Sequence, residues 1–220
     1  MPFGLCNAPS TIQGMINDVF YDMLDVAVIA HMDDILIYSE TIEENVAMVR
    51  KVLNRLRKAG LCVSIKKSTF HAREVEFLGH KISDHGISMT TKKVEEITVW
   101  SPPQKVVVVQ SLMGFANFYR WFIKGFSKIA KPLTNLTKKG IKCNWTYACQ
   151  AAFDELKRAF TTCPIFTHFD ETRRMKLETD TCDFALGAVL AQLCEDKRWD
   201  PVPFHSRKFA PAEVNYEVHD

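Results

Sequence analysis

The stretch Val26-Ala-Val-Ile-Ala-His-Met-Asp33-Asp34-Ile-Leu-Ile-Tyr38 decides the fold. Aliphatic and β-branched residues on both sides read as two strands, and the polar break between them reads as a hairpin tip. Two adjacent carboxylates repel each other, and apolar surroundings make their charge costlier still unless a cation neutralises it. Hard carboxylate oxygens suit Mg²⁺ or Mn²⁺, and such ions suit phosphate chemistry. An acidic pair taken alone fits a solvated turn equally well. A hairpin tip, however, holds Asp33 and Asp34 at one fixed place.

Upstream, residues 1–9 carry the breakers Pro2, Gly4, Asn7 and Pro9. Ser10 or Thr11 is the expected N-cap of a helix to about Leu24, with Ile12, Met15, Ile16, Val19, Phe20 and Met23 at helical spacing. Downstream, Thr41 opens an amphipathic helix with apolar residues at 42, 46, 49, 53 and 56. Gly60 ends it after a basic last turn. Short strands and turns are expected to about Ile87.

A second region starts near Thr90, with a helix stopped by Ser101-Pro-Pro103 and another over Val106–Phe118. Aromatics at 115, 118, 119, 121, 122 and 126 alternate with Arg120, Lys124 and Lys128. The pattern suits base stacking with charge neutralisation, and it suits a buried aromatic core with snorkelling cations better. After a boundary loop at Lys138–Trp145, a helix over Cys149–Phe160 buries Ala152, Phe153, Leu156 and Phe160. Strands follow at Met175–Thr179, Ala185–Gln192 and Pro201–Ser206, and a helix begins near Pro211.

Composition describes a globular chain: 220 residues, 47% hydrophobic and 25% charged. No run approaches the ~20 apolar residues of a membrane span, so no membrane partner is expected. Seven scattered cysteines without a Cys-x-x-Cys pair read as free thiols in a reducing compartment. The net charge of +2 conceals segregation: −8 over residues 1–49, +13 over 50–139 and −3 over 140–220. An acidic block followed by a basic one suggests a metal site beside a polyanion track, although folding also remixes charge.

Five ordered motifs carry a resemblance that covers the whole chain. They are Met1-Pro-Phe-Gly-Leu-Cys-Asn-Ala-Pro9, His31-Met-Asp-Asp34, Phe77-Leu-Gly-His80, Asn117-Phe-Tyr-Arg-Trp-Phe-Ile123 and Leu177-Glu-Thr-Asp180. Together they resemble the Pol polyprotein of gypsy-type LTR retrotransposons. The resemblance implies an α+β fold: the C-terminal part of a reverse-transcriptase palm over 1–88, a helical thumb and connection over 89–145, and a truncated ribonuclease H-like α/β domain over 146–220. It implies RNA template, DNA primer, RNA–DNA hybrid and dNTP as partners, with the remainder of a Pol polyprotein.

Residue roles follow from the same resemblance. Asp33 and Asp34 match the second and third carboxylates of a Mg²⁺ or Mn²⁺ polymerase site, and Asp180 the first of four ribonuclease H carboxylates. Phe3, Gly4, Asn7, Gln13, Lys66 and Lys67 fall where nucleotide and template are bound. Phe77, Leu78, Gly79 and His80 fall on the primer grip. His31 stands where the family usually has tyrosine, and Val106–Val109 replaces a more polar stretch. The first polymerase carboxylate is expected upstream of Met1 and the ribonuclease H glutamate beyond Asp220, so little activity is expected of this chain alone. A non-catalytic nucleic-acid binder and a non-functional product are the alternatives.

Overall fold

A computed structural model describes residues 4–210 and 212–216, and the fold is α+β. The chain forms two compact units, Met1–Phe77 and Leu78–Asp220.

The first unit begins with α1 (Ala8–Phe20), which starts earlier and stops sooner than its periodicity predicts. Pro9 lies in the first turn, where its missing N–H costs nothing, so Asn7 rather than Ser10 or Thr11 holds the N-cap position. Beyond Phe20 the backbone turns, with Asp25 left-handed at φ 59°. Strands β1 (Val28–His31) and β2 (Asp34–Ile37) pair antiparallel in the register His31 opposite Asp34. Helix α2 (Ile42–Lys58) opens on a capping box: Thr41 Oγ1 accepts from the Glu44 N–H, and Glu44 accepts from the Thr41 N–H.

The buried stripe of α2 is rotated from the expected one. Val52 and Leu56 face the core with Ile16, Phe20, Met23 and Val28, whereas Ile42 and Leu53 are exposed. Leu53 instead lines an open apolar hollow with Leu61, Val63, Ile65 and Phe70. The helix has more apolar surface than one neighbour covers. Asp22 and Arg55 tie α2 to the segment after α1, with Arg55 Nη2 donating to Asp22 Oδ2 at 2.7 Å. The unit closes with a 3-10 turn at Ile65–Lys67 and β3 (Glu74–Phe77).

The second unit opens with the antiparallel pair β4 (His80–Ser83) and β5 (Gly86–Met89). Helices α3 (Thr91–Thr98), α4 (Val106–Phe118), α5 (Phe126–Leu136) and α6 (Tyr147–Thr161) follow. Their inward faces share one core containing Ile97, Leu112, Leu133, Phe153, Leu156 and Phe160. The sequence reading has no counterpart for α5, although Phe126, Ala130, Leu133 and Leu136 share its buried face.

A meander of β6 (Met175–Cys182), β7 (Ala185–Leu193) and β8 (Trp199–Lys208) completes the unit in the order β6-β7-β8. The backbone of Ile87 and Phe166 exchanges two hydrogen bonds, of 2.8 and 2.9 Å, tying β5 to the segment after α6. Gly86 makes that approach possible: a Cβ there would sit 2.0 Å from the Phe166 carbonyl oxygen, at a φ of 129°. On β6 every residue from Met175 to Thr181 is exposed. Pro211 lies outside the described residues, and Glu213–Asn215 forms a single 3-10 turn where a helix is expected.

Candidate active site

The two-residue connection Met32–Asp33 forms the hairpin tip, and Asp34 opens β2. Val28 and Ala27, at the hairpin's base, are buried. The Tyr38 N–H donates to the Ala27 carbonyl at 3.1 Å, which closes the base. At the other end Met32 adopts φ 52°, a left-handed conformation that costs a non-glycine residue about 1–2 kcal/mol.

Gln13 holds that tip. Its Nε2 donates to the Ala30 carbonyl at 3.1 Å, and its Oε1 accepts from the Met32 N–H at 2.7 Å. One amide from α1 thus satisfies two backbone groups beside the carboxylates. A role for Gln13 in fixing the hairpin is what sequence reading missed. A polar residue on the helix face that carries Ile16 and Phe20 was the available signal.

Asp33 and Asp34 are both exposed. The burial cost expected from their apolar neighbours is therefore absent: β1 and β2 keep their apolar residues below the tip. As donors the pair fits Mg²⁺ or Mn²⁺, which take one or two carboxylates and complete their shell with water and phosphate oxygens. Among the described residues no group of three or more His, Cys, Asp or Glu side chains is poised for a metal.

The other predicted residues lie on separate elements. Phe3 is outside the described residues. Gly4 is exposed at φ 97°, with nothing within 4 Å of an added Cβ, so its conformation rather than close approach requires glycine. Asn7 is exposed, and its carbonyl accepts from the Thr11 N–H and hydroxyl at 3.0 and 2.9 Å. Lys66 and Lys67 are exposed on their 3-10 turn.

Leu78 and Gly79 form a second tight turn, both left-handed at φ 49° and 78°. His80 follows with its ring stacked on Phe118, centroids 5.4 Å apart at 13°. Burial lowers the pKa of the His80 imidazole and favours the neutral ring. Tyr119 Oη donates to the Gly79 carbonyl at 3.0 Å. Of the aromatics around these residues, Tyr119, Phe122 and Phe126 are buried, whereas Phe118 and Trp121 are exposed. The core reading accounts for the first three.

Asp180 lies on β6 opposite Gly187 of β7, with its side chain exposed. Neighbouring Glu178 is paired with Lys176, whose ammonium holds the Glu178 carboxyl below its usual range.

Comparison with known proteins sorts the chain into two matched regions. Residues 1–82 match the family model for reverse transcriptase (RNA-dependent DNA polymerase). Residues 145–220 match the model for the RNase H-like domain found in reverse transcriptase. The transposon Tf2-3 and Tf2-7 polyproteins of Schizosaccharomyces pombe are each 34% identical over all 220 residues, which is 16% of their own length. A foamy viral protease-reverse transcriptase solved with RNA/DNA hybrid is similar at TM-score 0.80 and 26% identity, over 99% of this chain and 29% of that one. A second, solved with dsDNA, has TM-score 0.80 and 26% identity over 99% of this chain and 45% of that one.

Proposed function

The chain belongs to the reverse transcriptases of transposon polyproteins, with an RNase H-like region at its C-terminal end, and we propose that Asp33 and Asp34 are metal-holding carboxylates of RNA-directed DNA synthesis. The observation that carries this reading is the exposed Asp33-Asp34 tip, fixed by the Gln13 amide. Mg²⁺ or Mn²⁺, when bound, supplies Lewis-acid stabilisation of charge on phosphate oxygens. The residues of this chain hold the ion and orient the groups around it.

In this reading residues 1–88 are palm, 89–145 thumb and connection, and 146–220 ribonuclease H-like. Gly4, Asn7, Lys66 and Lys67, with Phe3, line the path of nucleotide and template, and Gln13 does so through the tip that it braces. The Phe77–His80 segment holds the primer end. Asp180 is a ribonuclease H carboxylate acting on RNA–DNA hybrid. The foamy viral relatives were solved with RNA/DNA hybrid and with dsDNA, which supports nucleic-acid partners here. The chain spans 16% of the length of the transposon polyproteins it matches, so we assign the activity to a polyprotein-length protein.

Primer extension on poly(rA)/oligo(dT) with Mg²⁺ tests the assignment. In a polyprotein-length protein, Asp33→Asn and Asp34→Asn each lower incorporation by about 10³-fold or more, the scale of a lost metal contribution of several kcal/mol. Retention of wild-type rates by both variants overturns it.

A further inference from the structure

We propose that Tyr119 is a positioning residue for the primer end, acting through the single hydrogen bond from its phenol to the Gly79 carbonyl. The inference rests on the reading that the turn at residues 77–80 holds the primer.

The turn has the geometry of a favoured two-residue loop, and one of its two residues carries a Cβ. Leu78 and Gly79 are consecutive left-handed residues, and the Leu78 conformation is unfavourable for a residue with a Cβ. Such a conformation persists only where its surroundings over-determine it. Tyr119 adds a side-chain anchor to the turn. Its side chain is 2% exposed, so the hydroxyl needs a protein partner, and Gly79 provides it at 3.0 Å. A Cβ on Gly79 would lie 2.7 Å from that hydroxyl oxygen and would displace it, and the φ of 78° disfavours a side chain there as well.

The phenol is rigidly placed. Tyr119 ends α4 and precedes the 3-10 turn Arg120–Phe122, and its carbonyl accepts from the Phe122 N–H at 3.0 Å. Phe118 meets the ring edge-on at 4.8 Å, and Phe115 lies 5.1 Å away. The His80 ring packs against it at 5.5 Å and 76°. Nδ1 of His80 is buried without a hydrogen-bond partner among the described residues, so His80 packs by its ring and leaves the turn's polar anchoring to Tyr119. From Phe122 the aromatic series continues to Phe166, stacked at 4.7 Å and 4°, in the main core of the second unit. The Gly79 carbonyl is thereby referenced to that core through one hydroxyl.

Tyr119→Phe removes the hydroxyl and keeps every ring contact, which separates positioning from packing. In the polyprotein-length protein the variant melts within about 4 °C of wild type, as one lost hydrogen bond allows. It lowers kcat for incorporation about tenfold with little change in KM for dNTP, the signature of a misplaced reacting end. It also raises the ratio of mismatched to matched primer extension. Unchanged kcat and unchanged mismatch ratio overturn the proposal, and so does an activity loss that only tracks a melt lowered by ten degrees or more. Asp34→Asn runs alongside. An inactive wild type, or an active Asp34→Asn, defeats the polymerase reading itself. An unaffected Tyr119→Phe beside an active wild type and a dead Asp34→Asn defeats only the tyrosine.

Discussion

Two tight turns carry the residues of greatest interest, and they are held in opposite ways. The Met32–Asp33 tip is braced from outside, by a glutamine amide on an exposed hairpin whose apolar residues lie below it. The Leu78–Gly79 turn is anchored from inside, by a phenol rooted in the large helical core. An open tip leaves carboxylate oxygens free to meet a cation and a phosphate. A turn that must hold a strand end in register gains more from a rigid support.

The contrast can be broken at four places. Gly86→Ala strikes the inner support hardest, because its Cβ would enter the Phe166 carbonyl backbone at 2.0 Å from a left-handed φ. A loss of about 4 kcal/mol or more in the second unit is expected in urea melts, with amide protection at Tyr119 lost alongside. Phe20→Ala empties the centre of the smaller core, for about 3–5 kcal/mol. Hydrogen exchange then shows the first unit opening while α4 to α6 stay protected; simultaneous opening of both would erase the distinction between the units.

Gln13→Ala removes two hydrogen bonds from the tip, and a loss of about 1–2 kcal/mol is expected. The Met32 amide should exchange roughly tenfold faster, with no change at Gly79. The smallest effect is the response to acid. Burial depresses the His80 pKa, so the folded second unit disfavours the protonated ring. Its stability is full above the unfolded value near 6.5 and declines as pH falls from there towards the depressed pKa. Asp22 is held down to about 2 by the Arg55 guanidinium, so its contribution is full above the ordinary value of 3.8 and is lost as pH falls through about 2. NMR titration should show the Asp22 carboxyl unchanged over the pH range that unsettles His80, and Arg55→Met should return Asp22 to the ordinary carboxylate range.

Much of this organisation is written in local chemistry. Thr41 and Glu44 announce α2 because a capping box is a contact three residues long. The Asp33-Asp34 hairpin is legible because β-rich runs flank a polar break. Helix α5 was hidden by Gly125 before it and Pro132 within it, residues that usually mark a boundary, yet its apolar stripe was present. The exposure of the acidic pair was not legible, since local hydrophobicity does not say which end of a strand is covered. Nor was the Tyr119–Gly79 bond, which joins positions 40 residues apart.

The exposed strand β6 has a consequence for handling this 220-residue chain by itself. Among the described residues it ends its sheet and pairs with β7 alone, and it carries Leu177 at 66% exposure and Met175 at 48%. The other side is a row of backbone donors and acceptors, the template on which a second strand can add. Lys176 and Glu178 interrupt that surface with charge, and their mutual pairing leaves little net repulsion to keep copies apart. Concentrated solutions of this 220-residue chain should therefore self-associate along β6, and Leu177→Lys should keep them monodisperse.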